Sequence, residues 1–461
     1  MARLYAWLDE RYEIGELARR FLLRSLPRGI GWSQTLGSAL FFLIILQAVT
    51  GIFLAVYYVG SPEQAYESIQ HITNEVPFGF LIRGTHKWGA SAMVVIAVLH
   101  LLRVFFMGAY IYPRELTWVV GIFLLVLIMG EAFTGYLLPM DQKAYWATVV
   151  GTHVAEKAPL IGPAVLKVAQ AGVEPGPLTL SRFYAFHTMF FGGSLGLLAL
   201  LHLAQVIKQG IAPPPKTMPA VAPKDYARAY EESKKGGQPF YEHLFKDATI
   251  SLALFLALTA SAVFLGSPLE GPADPADVNY VPRPEWYFYF LFELLWFFPG
   301  PWVIVPAFIV PVAGVAILML LPVFDRGPVR HAAQRPLASM LASATLLAVI
   351  FLSYKGATAP APPIAATAPL PPIPVGATVS PRVELGWRVY QEQGCASCHA
   401  IARQGGAAGP DLSKVGSRRD AELLRRFIRD PQSIKPGSAM PGYDLEEDKL
   451  DALVQLLEAL K

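Results

Sequence analysis

This chain is poor in charge and almost free of cysteine. Asp, Glu, Lys and Arg supply only 16% of its 461 residues, against 54% hydrophobic. That balance excludes an ordinary water-soluble enzyme and matches a chain that crosses a membrane several times. Cys395 and Cys398 are the only cysteines, which excludes a disulfide-stapled framework. The first 33 residues lack a continuous apolar run, so no cleavable signal peptide is expected and the membrane helices must do the targeting. There is no internal repeat beyond a paired spacing of histidines. The formal net charge of +3 says nothing about partners, and no nucleic acid is expected among them.

What the chain has in quantity is long apolar runs. They lie near 35–58, 84–106, 117–138, 184–207, 248–266, 302–322 and 337–354, each close to the ~20 residues a membrane helix needs. Seven membrane helices are predicted. Segment 1–33 holds Arg3, Arg11, Arg19, Arg20, Arg24 and Arg28, while Tyr58–Ile82 holds no Lys or Arg. The amino terminus is therefore expected in the cytoplasm. The basic segments 208–247 and Asp325–Arg335 fall on the same side, and 267–301, with Arg283 alone, on the other. Seven crossings then place everything after Lys355 outside. The expected organisation is a four-helix block at 1–210, a cytoplasmic connection at 211–247, a three-helix block at 248–355, a Pro/Ala-rich linker at 356–381 and a small soluble domain at 382–461. A tether of that composition is extended and semi-rigid, and its residues Ala357–Pro381 can reach about 78 Å at about 3.1 Å per residue.

Two apolar runs carry histidines in pairs: His86 and His100, 14 apart, and His187 and His202, 15 apart. Such spacings separate the members of a pair by roughly 21 Å along a helix, one near each face of a hydrocarbon core about 30 Å thick. At about 100° per residue they turn the helix face by about −40° and +60°, so both members of a pair can address the same neighbour. Two helices so equipped can clamp two haems between them. A lone histidine in an apolar helix can pack quietly against a polar neighbour, but four ionisable groups at matched depth point to function. Gly37 and Gly51 on the first helix, and Gly121 and Gly135 on the third, repeat the 14-residue step. A single membrane glycine usually serves helix packing; pairs at this rise admit a flat macrocycle close to the backbone. Arg83, Lys87, Arg103 and Arg114 lie where they can meet haem propionates, or else snorkel to the interface.

Cys395-Ala396-Ser397-Cys398-His399 has the pattern for covalent c-type haem attachment: two thiols form thioethers and the histidine takes one axial position on iron. A redox CxxC or half a zinc site is the alternative, but no further cysteine exists to complete the latter. Met440, the only methionine after Ile401, stands in a Pro436–Gly442 loop and is the natural sixth ligand. His/Met ligation raises a haem's potential.

Residues 1–210 resemble cytochrome b6 through Arg83-Gly84-Thr85-His86, Pro113-Arg114-Glu115-Leu116-Thr117-Trp118, Thr134-Gly135-Tyr136, Leu138-Pro139, Arg182-Phe183-Tyr184 and His187. The 15-residue step to His202 matches that branch; mitochondrial-type cytochrome b is usually one residue shorter. Residues 248–355 resemble subunit IV of the same complexes through Pro272-Ala273-Asp274-Pro275 and Pro284-Glu285-Trp286-Tyr287, and the carboxyl end looks like a class I cytochrome c. In that last resemblance Gly409-Pro410-Asp411-Leu412 supplies a proline carbonyl that holds the proximal histidine. The resemblance implies that His86 and His187 hold an outer, lower-potential haem b, and His100 and His202 an inner, higher-potential one. It implies an outer quinol pocket where Glu285 takes a proton, a role open to a carboxylate whose pKa burial raises. Pro284, Trp286 and Tyr287 flank Glu285, and Tyr136, Leu138 and Pro139 line the pocket ahead of the loop that Asp141-Gln142-Lys143 begins. Two positions depart from the pattern. Thr35 stands where the b6 branch has a cysteine for an extra inner-site haem and Ile207 where it has an arginine, so no thioether-linked haem is expected there; Met140 replaces a common tryptophan. His71, His153, His243 and His331 are read as loop residues without a role.

The expected fold is all-α: a seven-helix membrane bundle with a haem-binding four-helix core, plus an extracytoplasmic all-α cytochrome c domain. The resemblance implies the cytochrome b and c subunit of a quinol:cytochrome c oxidoreductase in a bacterial cytoplasmic membrane. Its cofactors are two non-covalent haem b and one covalent haem c. Its partners are membrane quinone, a separate Rieske iron–sulfur protein, a cytochrome or copper-protein acceptor and a second copy in a homodimer. A dihaem anchor for a dehydrogenase is the rival enzyme reading, and it lacks the Pro-Glu-Trp-Tyr block; a transporter or scaffold would be colourless. A wire to a reaction centre or oxidase would add to the first reading.

Overall fold

The computed structural model describes residues 2–170, 175–275, 280–298, 300–327, 329–359, 380–401, 404–405, 409–435, 438 and 440–460. Seven helices in it are long and apolar enough to cross a membrane: Trp32–Tyr57, Gly79–Phe106, Glu115–Tyr136, Pro177–Gln209, Phe240–Phe264, Val305–Phe324 and Pro336–Thr358. They are numbered first to seventh below. The chain divides into a unit made of residues 1–273 and 282–358, and a second unit that contains the carboxyl-terminal domain.

Several helices overrun the apolar runs that betray them. The fourth starts at Pro177, because Pro suits a first helical turn, and the fifth starts at Phe240 rather than near 248. Polar first turns carry no hydropathy signal, so these boundaries correct the expected ones. The seventh continues through Thr358, so the expected linker at 356–381 begins later; its residues 360–379 lie outside the described residues. The fourth helix ends at Gln209, and the next residue, Gly210, has a φ of +72° that glycine adopts without strain.

In the first unit the first helix packs on the second, the third on the fourth, and the fifth on the second. The last contact is close: a Cβ on Gly84 would stand 2.6 Å from Ala262 Cβ. Polar ties join the two sequence blocks. Trp88 Nε1 donates to the Gly266 carbonyl at 2.9 Å and Trp118 Nε1 to that of Leu318 at 2.6 Å. Shorter helices fill the connections, among them Pro62–Asn74, Gln142–Glu156 and Tyr226–Lys234. Three of the four histidines expected in loops therefore sit in helices: His71, His153 and the buried His243 at the start of the fifth helix. Their mixed surroundings hid the helical period.

The carboxyl-terminal domain has its own core. Helix Pro381–Glu392 begins at Ser380, whose hydroxyl accepts from Val383 N–H, and packs on helix Glu447–Ala459. Buried Trp387, Tyr390, Ile401, Leu450, Leu453 and Leu456 lie in that core, with the Trp387 and Tyr390 rings stacked 5.3 Å apart.

Candidate functional site

The four membrane histidines meet the four glycines one to one. A Cβ on Gly51 would stand 3.3 Å from His86 Cε1, on Gly37 3.3 Å from His100 Cε1, on Gly121 3.4 Å from His202 Cε1, and on Gly135 2.6 Å from His187 Cε1. Two levels result. Their match needs explanation, because the glycine pairs step by 14 residues and the His187 to His202 pair by 15. His187 lies in a π-helical turn, Phe186–Phe191, inserted in the fourth helix. Such a turn takes up one extra residue, so the longer step spans the same rise and returns to the same face.

At one level the rings of His86 and His187 face each other with centroids 6.3 Å apart. Two imidazoles on opposite sides of one metal, with bonds of about 2 Å and about 1 Å from nitrogen to ring centre, stand about 6 Å apart. Hydrogen bonds select the tautomer. His187 Nδ1 donates to the Glu131 carbonyl at 3.1 Å, and His86 Nδ1 meets the Thr50 hydroxyl at 2.9 Å while that hydroxyl donates to the Leu46 carbonyl. Both Nε2 lone pairs are left for a metal. At the other level His100 Nδ1 is buried without a hydrogen-bond partner among the described residues, and His202 lies against the Thr117 backbone.

The basic residues divide. Among the described residues, two buried guanidinium nitrogens of Arg103 and one of Arg114 have no acceptor, a costly state that a bound carboxylate such as a propionate relieves. Arg114 also donates to Tyr226 Oη at 2.6 Å and to the Gln209 and Gly210 carbonyls. Arg83 is committed to Thr73 and Ser267 hydroxyls at 3.1 and 2.9 Å, and Lys87 Nζ stands over the Trp88 ring. The histidines, glycines and orphaned arginine nitrogens fit a flat macrocycle bearing acidic side groups.

Beside the His86 and His187 level is an apolar cavity of about 260 Å³ lined by Phe133, Tyr136, Gly151, Pro284, Phe288 and Pro311, among others. Tyr136 follows Gly135 on the third helix, which places the cavity next to that level. Glu285 pairs with Lys143 Nζ at 2.8 Å, and Lys143 also stands over the Tyr136 ring. Tyr287 is buried, whereas Trp286 is exposed and its indole nitrogen reaches the Ser91 hydroxyl at 3.3 Å. Met140, at φ +50°, turns the chain towards Asp141, and the Met140 carbonyl accepts from Ala273 N–H at 3.0 Å. Thr35 is buried, its hydroxyl donating to the Trp32 carbonyl at 2.8 Å, and Ile207 is exposed. Sequence reasoning passed over Lys143 as a partner of Glu285, and over Thr50 and Glu131 beside the histidines. A carboxylate within an apolar run was the available signal for Glu131.

In the carboxyl-terminal domain Cys395–Cys398 forms one helical turn, and His399 Nδ1 donates to the Pro410 carbonyl at 2.8 Å, which again leaves Nε2 free. Tyr390 Oη donates to the His399 carbonyl at 2.8 Å. Burial pushes the Cys395 thiol up to about 11, the opposite of the lowered pKa that marks a redox CxxC cysteine. Cys395 and Met440 both pack against the domain core; Pro436, Gly437 and Ala439 of the methionine loop lie outside the described residues.

The chain is similar to known proteins. Residues 24–210 match the family described as Cytochrome b/b6/petB, 272–371 that described as Cytochrome b(C-terminal)/b6/petD, and 383–461 that described as Cytochrome c. The menaquinol:cytochrome c reductase cytochrome b subunit of Bacillus subtilis is 42% identical over 221 residues, which cover 46% of this chain and 98% of that protein. Cytochrome b6 of Heliobacterium modesticaldum is 43% identical over 211 residues, 45% of this chain and 99% of that protein. A solved hyperthermophilic respiratory Complex III chain superposes with a TM-score of 0.68 at 26% identity, covering 77% of this chain and 91% of that one. The fold and its matches define a multi-pass membrane cytochrome of electron transport. Within that class the chain belongs to the cytochrome b/b6 family, with the b6 and subunit IV parts joined in one polypeptide and a cytochrome c domain at the carboxyl end.

Proposed function

We propose that this chain is the cytochrome b and c subunit of a quinol:cytochrome c oxidoreductase. The observation that carries the reading is the apolar cavity beside the His86 and His187 level, with Glu285 at the segment that lines it. The Bacillus relative is named for menaquinol, and we take a menaquinol as the substrate. His86 and His187 would hold one haem b, His100 and His202 the other, with Gly37, Gly51, Gly121 and Gly135 giving room; Arg103 and Arg114 would meet the propionates of the latter and Lys87 those of the former, Arg83 being held by Thr73 and Ser267. Cys395, Cys398, His399 and Met440 would hold haem c. When bound, these groups carry single electrons, one across the membrane through the b pair and the other through the c domain to a cytochrome or copper-protein acceptor.

The residues of the chain do the proton work. Phe133, Tyr136, Pro284 and Phe288 exclude water and hold the quinol ring by apolar contact. The Glu285 carboxylate accepts one of the two quinol hydroxyl protons, and Trp286 and Tyr287 follow it in the same segment. Neutralising Glu285 dissolves its ion pair with Lys143 and frees the carboxyl group to turn and release the proton. A Rieske protein must be a separate chain, because both cysteines belong to the c-type motif. The basic amino end supports a cytoplasmic amino terminus in a bacterial cytoplasmic membrane, with the c domain outside, and the assembly is taken as a homodimer. Thr35 offers no thiol, so an extra inner-site haem is not thioether-linked.

The test is quinol-dependent reduction of haem c in the intact complex. Outer-site inhibitors should abolish it, and Glu285→Gln should slow it about a hundredfold or more with haem content unchanged, in the range that loss of a general base costs. An inhibitor-insensitive rate sinks the outer site, and an unchanged turnover in the variant removes Glu285 from it.

A further inference from the structure

Of the four membrane histidines, only His187 has a carboxyl group beside its Nδ1 among the described residues. Glu131 lies four residues before Gly135 on the third helix, hence on the same face, and its Oε2 stands 3.1 Å from His187 Nδ1. The Nδ1 hydrogen already points at the Glu131 backbone carbonyl, also 3.1 Å away. Oε2 is buried and has no hydrogen-bond donor of its own. The site makes room for this group: a Cβ on Gly192 would stand 3.1 Å from Glu131 Oε1. The counterparts differ. His86 Nδ1 meets a neutral hydroxyl, His100 Nδ1 has no hydrogen-bond partner among the described residues, and His202 lies against the Thr117 backbone.

We propose that Glu131 is a positioning residue that lowers the reduction potential of the haem held by His86 and His187. Two oxygens facing one N–H draw its hydrogen outward and make the imidazole a stronger donor to iron. Electron-rich oxygen close by, in a medium of low dielectric constant, also favours the more positive oxidised state over the reduced one. Reduction adds one electron and makes or breaks no bond. The effect falls on one level only, and so gives that level the lower potential and electron flow a direction, from His86 and His187 towards His100 and His202. The inference rests on the ligand assignment proposed above.

Optical redox titration of the purified full-length complex tests it, with Glu131→Gln and Glu131→Leu compared to the parent. The relevant b-haem component is the one that disappears in His187→Leu. Its midpoint potential should rise in both variants, with the other b haem and haem c unmoved, and its low-spin ferric EPR signal should shift. An unmoved potential at full haem content overturns the proposal, and so does an equal rise of both b haems, which marks a general disturbance. Should the leucine variant lose haem, the glutamine variant, nearly the same shape as glutamate, decides alone. Absence of two b-haem components in the parent would instead overturn the ligand assignment, a failure that the parent titration separates from that of Glu131.

Discussion

A side chain at Gly135 has nowhere to go, because its Cβ would stand 2.6 Å from His187 Cε1, while a Cβ on Gly193 meets none of the described residues within 4 Å. Overpacking of this kind displaces whatever is softest, here the imidazole and the macrocycle it would hold. Gly135→Val should therefore cut b-type haem to about half by pyridine haemochrome, and Gly193→Ala should leave it unchanged. Asp141 offers a pH test. Burial raises its carboxyl above the usual carboxylate range, although the Ala144 and Glu270 N–H groups pull the other way. A raised folded pKa contributes stability that is complete below the unfolded pKa and is lost as pH rises through the folded value. Asp141→Asn keeps an oxygen for Ala144 N–H, gives up the acceptor of Glu270 N–H and removes the titration. Thermal release of haem b from the variant should depend less on pH in the mildly acidic range; an unchanged pH dependence contradicts this. Gly135 and the histidines stood out as candidates from residue type and spacing, whereas Glu285 was a candidate only through the Pro284-Glu285-Trp286-Tyr287 resemblance. The Lys143 pair with Glu285 was not legible, because a lysine 142 positions away carries no local sign of its partner.

Among the elements, the fourth helix shows how a spacing and a shape correct each other. Fourteen and fifteen residues differ by about 100° of helix face, so an uninterrupted α-helix would turn either His187 or His202 away from its glycine. The π-helical turn Phe186–Phe191 removes the conflict by holding the extra residue. Deleting Met189, whose side chain is exposed, should convert that turn to ordinary helix and retain both b haems. Deleting Val95 from the second helix has no such slack to consume, turns His100 by about 100° relative to His86, and should abolish haem at one level. Haem loss in the Met189 deletion would refute this account. The seven helices were legible because apolar length is a local property. Their polar first turns were not, since Pro177 and Phe240 lie beyond the apolar runs.

At the scale of the whole molecule, one chain combines three parts that the matched families hold at 24–210, 272–371 and 383–461. The purified chain should give two b haems for each c haem in reduced-minus-oxidised spectra with haemochrome quantification. A third non-covalent haem would reopen the inner site despite Thr35, and a single b haem would break the paired levels.

Sequence alone determined the number of crossings, the depth of the histidines and the covalent c-type motif, because hydropathy, helical rise and a five-residue pattern are all local along the chain. Tertiary structure alone decided which histidine faces which glycine, how a step of 15 residues meets one of 14, and which carboxyl groups stand by His187 and Lys143. Those facts depend on the packing of helices distant in sequence, and no periodicity within one helix encodes the side chain that its neighbour presents.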